Sequence, residues 1–148
     1  MRQAARAIII ENNKILLMQR NKNGNEYYTL VGGGVKQGET QEEAVKREVK
    51  EETGLDVTST QLAFIEELPE PYHEQYTFIC TVAPHGEVEL HPDSEEATMN
   101  KFGLNIHTPV WIDLNVFEKI PFRSIHLQEK IGEAIKQGFP KEPIKIYN

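Results

Sequence analysis

Residues 32–55 read GGGVKQGETQEEAVKREVKEETGL, a run of three glycines followed by a segment rich in glutamate. Residues 27–31, directly before it, are aromatic and β-branched, which predicts a strand that runs into the glycines. Thr40, followed three residues later by Glu43, forms a capping box, and Gly54 stands where a helix ends. The stretch therefore predicts a strand, a tight glycine turn and a helix over residues 40–53.

The glycine turn fits neither of two common phosphate-binding loops. Gly33 and Gly38 have the spacing of the P-loop glycines, but Glu39 occupies the position of the lysine. Gly32, Gly34 and Gly38 leave three residues before the last glycine, one more than the dinucleotide fingerprint has. Taken alone, the stretch is a tight connection between a strand and a helix.

The predicted helix carries three glutamates on one face. At about 100° per residue, Glu48, Glu51 and Glu52 fall within an arc of about 100°, and Val45 and Val49 point to a neighbouring arc that faces the core. The three carboxylates repel one another unless a basic partner or a cation supplies positive charge. Oxygen ligands of this kind suit Mg²⁺, Mn²⁺ or Ca²⁺. The alternative is a solvated acidic face, for example the interaction helix of a structural protein, which Mg²⁺ would not affect.

The glycines and glutamates form one continuous pattern over residues 33–55. Its specified positions are, in order, Gly33, Glu39, Arg47, Glu48, Val49, Glu51, Glu52, Gly54 and Leu55. At every one of these positions the chain resembles the signature box of the MutT-like Nudix hydrolases. One departure lies just outside the box, where Val31 stands in place of the proline that family members often have.

The resemblance implies a fold and an activity. The expected fold is α/β: a single domain over residues 1–148, built as an α/β/α sandwich with a mixed sheet between the box helix and a C-terminal helix. The expected activity is the divalent-cation-dependent hydrolysis of a phosphoanhydride bond in a nucleoside diphosphate linked to another moiety. Mg²⁺ is the expected cofactor, with Mn²⁺ as a substitute, and a small nucleotide is the expected partner. The alternative on this fold is a catalytically silent nucleotide-binding or sensor module.

The resemblance also assigns the reacting groups. Glu52, Glu48 and then Glu51 are expected as catalytic residues and as metal ligands, with the backbone carbonyl of Gly32 as a further ligand. The general base is either Glu52 or Glu48, or it lies outside the box on a later loop, where Glu95 and Glu96 are the candidates.

Other residues are expected to support the site or to contact the substrate. Arg47 can bridge Glu39 and a helix carboxylate, so these two residues, with Gly33 and Gly54, are expected to hold the geometry of the site. Substrate contacts are expected from a second set, which comprises Arg6, Arg20, Tyr28, Glu95 and Glu96.

The composition indicates an acidic protein of one domain. The chain has 148 residues, of which 16 are basic and 23 acidic, and its net charge of −7 argues against broad binding to nucleic acid or anionic membrane. No run approaches the roughly 20 apolar residues of a membrane span, and no secretory signal is expected. The single Cys80 favours a reducing compartment, so we expect a cytoplasmic protein. The oligomeric state stays open, with a homodimer among the assemblies allowed.

The remaining segments are assigned from their apolar patterns. Strands are predicted over residues 7–10, 14–19, 62–67, 75–82 and 109–112, and a helix over 123–136, where Leu127, Ile131 and Ile135 recur every four residues. Residues 84–93 read as a polar connection, residues 95–108 have no clear pattern, and the tail from Pro140 is expected to be loosely held. The five histidines lack ligand spacing, and most of them are expected at the surface.

Overall fold

The computed structural model describes residues 2–69, 72–92, 94–103 and 105–147, which form eight strands and three α-helices. The strands are β1 (Arg2–Ile8), β2 (Ile10–Glu11), β3 (Lys14–Lys22), β4 (Asn25–Gly34), β5 (Val57–Glu67), β6 (Tyr72–Val82), β7 (Asn105–Asp113) and β8 (Ile144–Tyr147). The helices are α1 (Gln41–Thr53), α2 (Glu95–Phe102) and α3 (Ile125–Gln137), and a 3-10 turn spans Phe117–Lys119. None of the described helices is long and apolar enough to cross a membrane.

The strands form one mixed sheet with the order β2-β3-β4-β1-β6-β5-β8, and β7 pairs with β3. β1 runs parallel to β6, and β5 runs parallel to β8, whereas the other pairs are antiparallel. β4, which carries the glycines, pairs with β1 and β3 and therefore lies inside the sheet.

The sheet is covered on both faces. Along β3, Leu16 and Met18 are buried in the core that α1 covers, whereas Ile15 and Leu17 are buried in the core that α3 covers. This alternation is the period-two pattern of a strand with apolar partners on both sides. The expected α/β/α sandwich with a mixed sheet is thus confirmed, with the box helix on one side and the C-terminal helix on the other.

The ends of α1 are fixed by the residues that the sequence singles out. The Thr40 hydroxyl accepts a hydrogen bond from the Glu43 N–H at 3.0 Å, and the Glu43 carboxylate accepts one from the Thr40 N–H at 3.0 Å. Gly54 ends the helix in the left-handed conformation, with φ 80° and ψ −2°. These two caps fix the ends of α1, and its buried residues Ala44, Val45 and Val49 set the face that packs on the sheet, beside which Glu48 and Glu52 lie.

Residues 95–108, which have no clear sequence pattern, form α2 and the first part of β7. Pro109 lies within β7, opposite Met18 of β3. A proline is tolerated there because β7 is an edge strand: among the described strands it pairs only with β3. On its other side no described strand needs a backbone N–H from residue 109.

The prediction of a loosely held tail is wrong for its last residues. Residues Ile144–Tyr147 form β8, which pairs in parallel with Phe64–Glu67 of β5, and Ile146 is 4% exposed. The apolar alternation of this strand covers only four residues, so its pairing with a distant strand leaves little trace in the local sequence.

Candidate active site

Three carboxylates from two helices meet beside the glycine turn. Glu48 and Glu52 of α1 and Glu96 of α2 each place an oxygen within 4.8 Å of the others. Glu48 is 9% exposed and Glu52 is 3% exposed. We call Glu48, Glu52 and Glu96 the acidic cluster; Glu96 is one of the two candidates outside the box.

The structure does not bring Glu51 into the acidic cluster, although the sequence groups it with Glu48 and Glu52. Its side chain is 39% exposed, and its carboxylate contacts the Arg47 guanidinium at 3.4 Å. Glu48 and Glu52 are one turn apart and about 40° offset, whereas Glu51 lies about 100° from Glu52, towards solvent. A role for Glu51 in the reaction stays a prediction.

The glycines let β4 approach the acidic cluster closely. The Gly32 N–H donates to Glu52 Oε1 at 2.7 Å, and a Cβ on Gly32 would lie 2.1 Å from the Ala5 carbonyl oxygen. A Cβ on Gly33 would lie 2.7 Å from Glu48 Oε1. The Gly32 carbonyl accepts a hydrogen bond from Arg6 Nη1 at 2.9 Å, so its use as a further metal ligand stays a prediction.

Arg47 connects the glycine turn to the helix. Its Nε and Nη2 donate to the two carboxylate oxygens of Glu39 at 2.8 Å and 3.0 Å, and its Nη1 donates to Glu48 Oε1 at 2.8 Å. Its Nη2 also donates to the Gly34 carbonyl at 3.0 Å. The guanidinium beside Glu39 lowers the pKa of that carboxyl to about 2, mainly through these hydrogen bonds. The guanidinium thus lies between Glu39 and a helix carboxylate, as the resemblance implies.

Burial disfavours the ionised form of two carboxylates of the acidic cluster. Burial raises the pKa of Glu52 to about 8, against the opposing effects of Arg6 and the Gly32 N–H. Burial also raises the pKa of Glu48, and the adjacent Arg47 offsets only part of this rise. Additional positive charge at this point would therefore stabilise the ionised carboxylates.

Basic and neutral polar groups line a cavity beside the acidic cluster. Arg6, Arg20, Thr29 and His107 line this cavity of about 240 Å³ together with the three carboxylates. Arg20 Nε and Thr29 Oγ1 are buried and have no hydrogen-bond partner among the described residues. Because a buried polar atom without a partner is costly, these two atoms are suited to bind a polar ligand or water.

Of the predicted substrate-binding residues, all but Tyr28 line this cavity. Arg20, Glu95 and Glu96 line the cavity, whereas Tyr28 packs with the core that α3 covers and is not brought to the cluster. Arg6 also reaches the cavity, but its guanidinium is hydrogen-bonded to the Leu30 and Gly32 carbonyls and to Gln75. A role for any of these side chains in substrate binding stays a prediction.

His107 was not singled out by the sequence, and it does not lie at the surface. It is 4% exposed and stands opposite Arg20 in the pairing of β3 with β7. Burial and the adjacent Arg20 lower the pKa of His107 to about 4. Its position depends on this register, which sequence periodicity alone does not fix.

We expect His107 to make stability fall as the pH is lowered from 6.5 to 4. Between these values the unfolded chain binds a proton at this residue more readily than the folded chain, so acid favours unfolding. Urea unfolding across this range measures the effect. Over this range the free energy of unfolding of His107→Gln should fall by on the order of 2 kcal/mol less than that of the wild type, because glutamine does not titrate. The matched control is His126→Gln, at an exposed position of α3, and equal losses in all three proteins would contradict the expectation.

Residues 1–126 match the family model described as NUDIX domain. An NAD-capped RNA hydrolase NudC from Vibrio cholerae is 37% identical over 101 residues, which cover 68% of this chain and 36% of that protein. An ADP-ribose pyrophosphatase from Methanocaldococcus jannaschii is 55% identical over 53 residues, which cover 35% of this chain and 31% of that protein. The crystal structure of a MutT protein from Bacillus halodurans shares the fold, with a TM-score of 0.67 at 20% identity over 99% of this chain and 90% of that one. The aligned part amounts to about a third of the length of the two curated relatives.

Proposed function

The chain belongs to the NUDIX domain family, and we therefore propose that it hydrolyses a phosphoanhydride bond in a nucleoside diphosphate linked to another moiety, with a divalent cation as cofactor. The observation that carries the proposal is the acidic cluster, in which two carboxylates from α1 and one from α2 converge within 4.8 Å. On a merely solvated acidic face, water hydrates each carboxylate separately, and nothing brings the carboxylates of two helices together.

The residues present fit a divalent cation. Glu48 and Glu52 are buried beside each other, and Arg47 contacts only the first of them among the described ion pairs. Carboxylate oxygens are the ligands that Mg²⁺ and Mn²⁺ prefer, and Mg²⁺ completes its shell with water and substrate phosphate. We assign Glu48, Glu52 and Glu96 as the residues that hold the cation, with Mg²⁺ as the physiological ion and Mn²⁺ as a substitute.

A divalent cation at this position supplies positive charge against the phosphoryl oxygens and lowers the pKa of water that it binds. The chain's own groups then have separate tasks. Arg47 holds the Glu48 carboxylate, and the Gly32 N–H holds that of Glu52, so both are oriented before the substrate arrives. Glu48 and Glu52 each have a second carboxylate oxygen, which either binds the cation or accepts the proton of the attacking water, and we propose one of these two residues as the general base.

The spaces beside the acidic cluster suit a substrate that carries a diphosphate at its centre. The acidic cluster borders the cavity with Arg20 and also an open groove of about 950 Å³ that Lys36 and Lys50 line. Basic groups thus line both of these spaces, together with Glu95 and, in the groove, Glu51. The names of two relatives point to ADP-ribose and to NAD-capped RNA. We favour a small nucleotide over RNA, because a net charge of −7 disfavours contact with a long polyanion.

We further propose that the protein acts in the cytoplasm. Cys80 is the single cysteine of the chain, and its thiol is buried and free. A buried, unpaired thiol is typical of proteins from a reducing compartment.

A combined binding and turnover measurement tests the proposed function. Metal-free protein is titrated with Mg²⁺ and with Mn²⁺ by calorimetry. The loaded protein is then incubated with nucleoside triphosphates, ADP-ribose, other nucleotide sugars, NAD and dinucleoside polyphosphates. We expect cation binding and the conversion of at least one compound into two phosphorylated products, in a reaction that stops when EDTA is added.

Two results would overturn the proposal in different ways. Cation and nucleotide binding without turnover of any compound would favour the catalytically silent sensor module. An absence of cation binding would leave the acidic cluster as a feature of the fold without a role in phosphoanhydride chemistry.

A further inference from the structure

α2 brings Glu96 to the acidic cluster without a buried side chain of its own. None of its described residues is buried, and its large apolar side chains Met99 and Phe102 are 39% and 75% exposed. Apolar burial, which holds most helices against a sheet, therefore contributes little here. The position of Glu96 must depend on polar contacts.

One set of contacts fixes the start of the helix. Ser94 caps α2 by accepting a hydrogen bond from the Ala97 N–H at 3.1 Å. The preceding loop is joined to the last turn of α1, where the His91 N–H donates to the Glu51 carbonyl at 2.7 Å and the Glu89 N–H donates to the Thr53 carbonyl at 3.1 Å. These bonds anchor one end of α2 but leave its rotation about its axis to be set elsewhere.

Asn100 joins α2 to β7 through two hydrogen bonds. Its Nδ2 donates to the His107 carbonyl at 2.7 Å, and its Oδ1 accepts from the His107 N–H at 2.6 Å. A side-chain amide thus pairs with both backbone groups of one residue of β7, as a neighbouring strand would. Asn100 lies four residues after Glu96, so the two side chains share one face of α2. Holding Asn100 against β7 therefore points Glu96 to the same side.

We propose that Asn100 is a positioning residue, which keeps the Glu96 carboxylate within the acidic cluster by fixing α2 on the edge of β7. The inference rests on the proposed function, because it gives Glu96 a part in holding the cation. Asn100 itself contacts neither of the α1 carboxylates among the described hydrogen bonds, so its effect passes through Glu96.

A double-mutant cycle tests the positioning role. The variants are Asn100→Ala, Glu96→Gln and the double variant, with Lys101→Ala as the control at an exposed neighbouring position of α2. Calorimetry gives the Mn²⁺ affinity of each protein, and steady-state kinetics with a substrate found in the turnover panel give kcat and KM. Amide hydrogen exchange at His107 reports whether its hydrogen bonds to residue 100 are intact.

We expect Asn100→Ala to weaken Mn²⁺ binding by about tenfold, as is usual when a residue that orients a metal ligand is lost. Its kcat should fall by a similar factor with little change in KM, while Lys101→Ala behaves like the wild type. The double variant should match Glu96→Gln, because Asn100 has nothing left to position once Glu96 is replaced.

Three outcomes would overturn the inference. In the first, Asn100→Ala keeps the Mn²⁺ affinity of the wild type although amide exchange at His107 is accelerated. In the second, Lys101→Ala loses as much Mn²⁺ affinity and kcat as Asn100→Ala. In the third, the losses of the two single variants add in the double variant. Failure of the proposed function is distinguishable, since the wild type would then show neither cation binding nor turnover.

Discussion

Glu52→Gln is expected to lower kcat by about 10³-fold, because several kcal/mol of transition-state stabilisation depend on the cation that Glu52 helps to hold. The variant should remain folded. Glutamine is close in size, and its carbonyl oxygen can still accept the hydrogen bond that the Gly32 N–H donates to Glu52 Oε1. Turnover at saturating Mg²⁺, measured beside a thermal melt of the same preparation, checks both parts of the expectation.

The control for this variant is Glu42→Gln, at an exposed position in the first turn of α1. It makes the same substitution in the same helix but lies away from the acidic cluster, so its kcat should equal that of the wild type. Near-normal turnover of folded Glu52→Gln would show that the reaction does not depend on this carboxylate.

Gly33→Ala is expected to lower kcat by about a hundredfold without preventing folding. The new Cβ would lie 2.7 Å from both Cδ and Oε1 of Glu48, so that carboxylate must move away from its present position. The clash involves the end of a flexible side chain, and Gly33 has no left-handed φ that alanine would strain. Loss of a contact that orients a metal ligand typically costs 10- to 100-fold in affinity or activity, and displacing the ligand itself should cost at least as much. Mg²⁺ affinity and kcat, measured together, check this result.

The matched substitution is Gly86→Ala, whose Cβ would meet no atom within 4 Å. Its activity and cation affinity should be unchanged. If Gly33→Ala kept both properties of the wild type, the close approach of β4 to Glu48 would have no bearing on the site.

Local sequence signals predict the part of the site that α1 and β4 build. The capping box, the C-terminal glycine and the glutamate spacing all lie within residues 32–55, and each depends on contacts between residues close in sequence. The alternation of Ile15, Leu16, Leu17 and Met18 between the two cores follows from strand geometry in the same way. The two-sided sandwich is therefore predictable.

Long-range pairing determines the part that sequence reasoning misses. Glu96 enters the acidic cluster only because α2 lies on β7, and His107 enters the cavity only because β7 pairs in register with β3. Shifting this register by one residue would turn His107 to the other face of the sheet. No local periodicity encodes such a register, so Glu96 is one of two adjacent candidates in the sequence and His107 is not singled out.

β8 pairs with the outer edge of β5 and buries Ile146. A chain shortened to about residue 140 would leave that edge of β5 with unsatisfied backbone donors and acceptors, and such edges template association between copies. Shortened forms would therefore be prone to aggregate even with every residue of the acidic cluster in place. For the same reason, an affinity tag or fusion partner at this terminus needs a linker that leaves β8 paired.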